Sequence, residues 1–153
     1  MVSKESLYKD VLLQASGLIE EGQQAVSLYA NVSALLKQTI PYISWVGFYV
    51  NNGKQSLYLG PFQGLVACVD IPFGKGVCGK AAREEQTVIV EDVHAFPGHI
   101  ACDAGSRSEI VVPLLKKGQL LAVLDVDSYE LAAFDEVDAK HLQSLLEMLA
   151  NVL

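Results

Sequence analysis

Glu109-Ile110-Val111-Val112-Pro113-Leu114-Leu115-Lys116-Lys117-Gly118-Gln119-Leu120-Leu121-Ala122-Val123-Leu124-Asp125-Val126-Asp127 is the stretch of this chain that decides its fold. Two apolar runs flank Lys117-Gly118, a turn signal, and this predicts an antiparallel hairpin. By the two-residue period of a strand, Leu121, Val123, Asp125 and Asp127 share one face of the second run, and Leu120, Ala122, Leu124 and Val126 share the other. Both faces are apolar, so this strand is expected to be buried. Two carboxylates on one face at the end of a buried strand incur a desolvation cost unless a cation, hydrogen bonds or a raised pKa relieves it. The alternative is a strand that ends at Leu124, with the acids as solvated turn residues. Glu109, at the entry to Ile110-Val111-Val112, is a third acid in a similar place.

Working outward, Ser44 to Val50 (SWVGFYV) is a β-branched and aromatic run that stops at Asn51-Asn52-Gly53, and Gln55 to Leu59 answers it as a second hairpin. A further strand is expected at Thr87 to Val90. Upstream, Val11, Leu12, Ala15, Leu18 and Ile19, then Ala25, Leu28, Tyr29, Val32, Leu35 and Leu36, recur at helical spacing. Gly22 divides them into two helices, and Pro41 closes the second. At the other end, Leu142, Leu145, Leu146, Leu149, Val152 and Leu153 form one stripe of a helix over Phe134 to Leu153, with Glu136, Lys140, Gln143 and Glu147 facing away. The segment from Gly60 to Gly79 has little periodicity and reads as a long loop. Helices at both ends around antiparallel strands make an α+β domain with one central sheet. The terminal helices either cover that sheet or also pair with a second subunit.

Composition narrows the partners. The chain has 153 residues, eighteen acids against eleven bases and a net charge of -7, so it lacks the basic footprint that nucleic acid or anionic lipid requires. No linker or repeat divides it, and residues 1–153 are read as one domain. Lys4, Glu5, Lys9 and Asp10 interrupt the N-terminus where a secretory signal needs an apolar run, and no stretch has the length of a membrane span. With three cysteines, an odd number, a cytoplasmic and reducing setting is expected.

Those cysteines, Cys68, Cys78 and Cys102, all fall between Gly60 and Asp127. Taken singly, each reads first as a small buried hydrophobe. Cys102 stands apart, in a polar loop near His94 and His99, where a neighbouring histidine or helix N-terminus favours the nucleophilic thiolate. A cysteine that attacks an oxidised substrate is left as a sulfenic acid and needs a second thiol to condense with it, which Cys68 or Cys78 could supply. Zinc is the competing reading, but nine residues separate Cys68 from Cys78, whereas structural zinc ligands come in close pairs. No metal is expected. Glu109, Asp125 and Asp127 together suit a ligand with an ammonium group. Trp45 and Tyr49, on one face of their strand, are either core aromatics or walls of a pocket for a small apolar or cationic group.

Several motifs together are specific. Gly60-Pro61-Phe62-Gln63-Gly64, Ala67-Cys68, Gly74-Lys75-Gly76-Val77-Cys78-Gly79, Asp92-Val93-His94, Phe96-Pro97-Gly98-His99-Ile100-Ala101-Cys102-Asp103, Ser108-Glu109-Ile110-Val111-Val112-Pro113 and Leu124-Asp125-Val126-Asp127-Ser128 closely resemble the free methionine-R-sulfoxide reductases, which are single GAF-domain enzymes. The resemblance spans essentially the whole chain. It implies a GAF-like sheet of about six antiparallel strands flanked by N- and C-terminal helices, a homodimer, and reduction of free methionine-R-sulfoxide without metal or organic cofactor. It further implies Cys102 as nucleophile, Cys68 as resolving thiol, Cys78 as accessory thiol, and Trp45, Tyr49, Glu109, Asp125 and Asp127 around the substrate. A thioredoxin-type or other dithiol reductant would restore the thiols. Backbone N–H groups between Gly98 and Ser108 would hold the substrate carboxylate. The other function classes are a small-ligand-binding GAF module, against which the acids repel a phosphate, and a thiol redox sensor, which would release no methionine.

Overall fold

A computed structural model describes residues 2–99 and 105–153. Among these residues the strands β1 (Trp45–Asn51), β2 (Ser56–Gln63), β3 (Asp70–Pro72), β4 (Val88–Val90), β5 (Ser108–Lys116) and β6 (Gln119–Ser128) form one sheet in the order β3-β2-β1-β6-β5-β4. Every neighbouring pair is antiparallel. The helices are α1 (Lys4–Leu18), α2 (Ala25–Thr39), α3 (Gly76–Glu84) and α4 (Glu136–Ala150). No helix among the described residues is long and apolar enough to cross a membrane.

The two faces of the sheet carry two separate cores. On one, Val46, Phe48, Ile110, Val112, Leu114, Ala122, Leu124 and Val126 pack under α1, α2 and α4. Leu28, Leu36, Leu142, Leu145 and Leu149 come from the helices, each buried leucine contributing about 1.5–3 kcal/mol relative to exposure. Most of the helical stripes read from the sequence are buried here, but Leu18 and Ala25 stay exposed; Gly22, at φ +86°, turns the chain between α1 and α2.

One polar cluster ties these helices together. Asp138 is fully buried on the first turn of α4. Its carboxylate accepts from Lys4 Nζ, Tyr8 Oη and Tyr42 Oη, each at 2.6 Å, and from the backbone N–H of Asp135 at 2.8 Å. The last contact completes a capping box with Asp135, whose own side chain accepts from the N–H of Val137. Burial, with the Asp138 charge adding, pushes the Tyr8 hydroxyl above its ordinary value, so it stays a donor.

On the opposite face Trp45, Tyr49, Leu57, Val90, Val111 and Val123 meet Val77, Cys78, Ala81 and Ala82 of α3. This corrects the reading of Gly60 to Gly79 as a loop: β2 runs on to Gln63, β3 pairs with β2, and α3 begins at Gly76. With nine residues and glycines in its first turn, α3 presents too short a period to see in the sequence. Tertiary packing forms it. Gly79 lies so close to β3 that an added Cβ would stand 2.5 Å from the Pro72 carbonyl oxygen.

A second correction concerns Leu120 and Leu121. Leu114 pairs with Ala122 but Leu115 with Leu120, so Leu121 is the extra residue of a β-bulge. The alternation reverses there. Leu120 joins the α3 side and Leu121 the helical side, opposite to the simple two-residue count.

Candidate active site

The acid-bearing end of β6 is not a turn. Asp125 lies between Gly47 of β1 and Val111 of β5, and Asp127 between Trp45 and Glu109. Cross-strand partners point to the same face, so the register places Trp45, Glu109, Asp125 and Asp127 together on the α3 side. The hairpin that decides the fold therefore also assembles the acids. All three are buried.

Gly47 makes room for them. Opposite Asp125, any Cβ at this position would meet the Phe62 Cβ at 2.3 Å and the Trp45 ring at 2.8 Å. Without a side chain there, Trp45 stacks on Phe62 (centroids 5.3 Å apart) and lies beside Tyr49 (6.1 Å). Each aromatic also holds the segment after β2. The Trp45 indole N–H donates to the Leu65 carbonyl at 2.9 Å, and the Tyr49 hydroxyl donates to the Cys68 carbonyl at 3.0 Å. Burial, then the charges of Asp125 and the other ionisable neighbours, pushes Tyr49 well above its ordinary value, which keeps it a donor.

Six of the residues singled out in the sequence line one narrow cavity: Trp45, Tyr49, Cys78, Glu109, Asp125 and Asp127. Cys68 follows the lining residue Ala67 and is disulfide-bonded, whereas Cys78 is a buried free thiol. Cys102 and the rest of 100–104, including much of the segment read as the carboxylate cradle, lie outside the described residues. The sequence reading missed Ser106 and the α3 residues Gly76 and Val77 as lining residues, and His99, singled out only as a neighbour of Cys102, lines the cavity too. Gly47 within a strand was the available signal of a close approach.

The electrostatics of the cavity are those of crowded acids. Burial pushes Glu109 well above the usual carboxyl range, and the charges of Asp125 and Asp127 push it further. Burial also raises Asp125, against hydrogen bonds with Glu109 and Cys78 that favour its ionised form. Such a pair shares a proton. The Cys78 thiol, 4.0 Å from Glu109 Oε2, is held protonated by burial and by the same acids. Burial, with His94 adding, lowers His99, although Asp125 pulls the other way. Asp125 Oδ1 is buried and has no hydrogen-bond partner among the described residues. A cavity of this kind can protonate an oxygen and can receive a small cation.

The model of the GAF domain matches residues 27–153. GAF domain-containing protein A of Dictyostelium discoideum is 48% identical over 149 residues, covering 97% of this chain and 94% of that protein. The free methionine-R-sulfoxide reductase of Escherichia coli is 44% identical over 152 residues, covering 99% of this chain and 92% of that protein. The crystal structure of free methionine-R-sulfoxide reductase from Neisseria meningitidis in complex with its substrate superposes with a TM-score of 0.94 at 46% identity, over 99% of this chain and 90% of that one. With the same sheet, the same helices and this degree of identity along its whole length, the chain belongs to the GAF-domain family, in the group that holds the free methionine-R-sulfoxide reductases.

Proposed function

We propose that this protein reduces the free amino acid methionine-R-sulfoxide to methionine. The observation that carries the reading is the cluster of three buried acids with an unpaired Asp125 Oδ1 beside Trp45, in a chain this similar to two such reductases. The cluster is a seat for the substrate ammonium. Within a polypeptide methionine sulfoxide has no ammonium, so the Asp125 oxygen would remain buried and unpaired, at a cost of about 1–3 kcal/mol or more.

In this mechanism the Cys102 thiolate attacks the sulfoxide sulfur while Glu109, pushed by burial well above the usual carboxyl range, donates to the oxygen. Methionine leaves and the oxygen stays on Cys102 as a sulfenic acid. Cys68 then attacks that sulfur, water departs, and a Cys68–Cys102 disulfide remains. One sulfoxide and two thiols thus give one thioether, one disulfide and one water. A dithiol reductant of the thioredoxin type returns the pair to thiols, and no metal or organic cofactor takes part. The engagement of Cys68 in a disulfide while Cys78 stays a free thiol supports Cys68 as the resolving residue and Cys78 as accessory. The protein acts in the cytoplasm as a homodimer of one-domain chains.

Incubation with dithiothreitol and separate R and S epimers, beside a peptide-bound sulfoxide, tests this by amino-acid analysis. Methionine from the free R epimer alone is expected. Methionine from none of them, with all thiols reduced, would leave a ligand-binding or redox-sensing module instead. Cys102→Ser should abolish turnover, and Cys68→Ser should complete one turnover yet stall with thioredoxin; normal turnover by Cys102→Ser would sink the mechanism.

A further inference from the structure

We infer that Cys78, Glu109 and Asp125 form a three-ligand seat for a zinc-type divalent cation, open on its fourth side to the cavity. The Cys78 Sγ and one oxygen from each carboxyl all lie within 4.8 Å of one another, on three different elements: α3, β5 and β6. A tetrahedral zinc with bonds of about 2.3 Å to sulfur and about 2.1 Å to oxygen has ligand atoms about 3.4–3.6 Å apart. The 4.0 Å from Sγ to Glu109 Oε2 needs only a small contraction to reach that geometry.

The second observation is the orphaned oxygen. Asp125 is only 6% exposed, lines the cavity, and leaves Oδ1 without a hydrogen bond among the described residues. A buried acceptor in that state is short of a positive partner. The thiol selects which cation fits. Thiolate with carboxylates suits zinc and its neighbours, whereas magnesium and calcium take oxygen ligands alone. On binding, the Cys78 proton and any carboxyl proton pass to solvent, and three anionic ligands face a dication. Asp125 would otherwise serve the substrate ammonium and Glu109 the sulfoxide oxygen, so a bound cation competes with substrate; this consequence rests on the reductase reading above.

The test is a cobalt titration of the whole protein without reductant, the state in which Cys68 is disulfide-bonded and Cys78 is free. The expected result is uptake of one equivalent with a thiolate-to-cobalt charge-transfer band that zinc abolishes and magnesium does not. Cys78→Ser should lose the band, and Asp125→Asn should weaken zinc binding by about 10-fold or more, the least that loss of a direct ligand costs when outer-shell changes cost that much. Circular dichroism checks that each variant is folded. No cobalt uptake by the wild type, or an undiminished band in folded Cys78→Ser, overturns the site. Zinc that binds but leaves the turnover of an active protein unchanged overturns the competition. A metal-free protein with no turnover counts against the reductase reading, and the cobalt result stands apart from it.

Discussion

Two buried clusters of carboxylate chemistry lie on opposite faces of one sheet, and they are provisioned in opposite ways. Asp138 is surrounded by Lys4, Tyr8, Tyr42 and the N–H of Asp135, all at 2.6–2.8 Å. Glu109 and Asp125 face each other, Asp127 and a thiol, and Asp125 Oδ1 has no partner among the described residues. The first cluster uses its hydrogen-bonding capacity inside the protein and ties α1 to α4. The second holds capacity in reserve for a molecule that arrives from outside. A satisfied buried network stabilises, whereas an unsatisfied one is retained at a cost in stability. The difference separates a structural carboxylate from a functional one without reference to any relative.

The sharpest way to break this contrast is Asp125→Asn. Catalytic efficiency with free methionine-R-sulfoxide should fall about 10²-fold or more, as for a group engaged in proton transfer or substrate charge, while the melting temperature holds or rises. A melting temperature that fell together with activity would show Asp125 to be a second Asp138. The reciprocal change, Asp138→Ala, should cost about 3 kcal/mol by denaturant unfolding, because it orphans two tyrosine hydroxyls and the partly buried Lys4. Its Michaelis constant should be unchanged.

A pH series of unfolding curves sharpens the comparison. The folded-state values of Glu109 and Asp125 lie above those of the unfolded chain, so between the two the folded protein binds more protons. Stability is therefore greatest below the ordinary carboxyl range and is lost as pH rises toward the raised values, by about 1.4 kcal/mol for each tenfold difference in proton affinity between the folded and unfolded chain. Glu109→Gln should flatten that slope; an unaltered slope would place the protons elsewhere. Tyr42→Phe is the mildest change. It removes one of several donors to Asp138 and should cost about 1 kcal/mol with no effect on turnover, measured as a shift in the denaturant midpoint.

Much of this contrast was legible in the sequence. The alternation along 122–127 and the placement of Glu109 at the start of the paired run offered three acids on adjacent strands as one of two readings, beside a strand ending at Leu124, and the register decided for it. The structural cluster was not legible. Asp138 reads as an ordinary acid in the first turn of an amphipathic helix, and its partners Lys4, Tyr8 and Tyr42 stand 134, 130 and 96 residues away. Only packing brings such residues together. The same holds for α3, whose first turn contains Gly76 and Gly79 and forms because β3 and the α3 face of the sheet receive it.

By itself, then, the sequence determined the α+β class, both hairpins, the apolar stripes of three helices and the residue types of the site, because these depend on periodicity and turn chemistry between near neighbours. The tertiary structure decided the strand order, the bulge at Leu121 that exchanges Leu120 and Leu121 between faces, the docking of α3, and which buried acid has partners and which has an oxygen left over. Those features depend on what lies across the sheet, and the spacing of residues along a chain carries no record of how many hydrogen-bond donors a carboxylate will meet once it is buried.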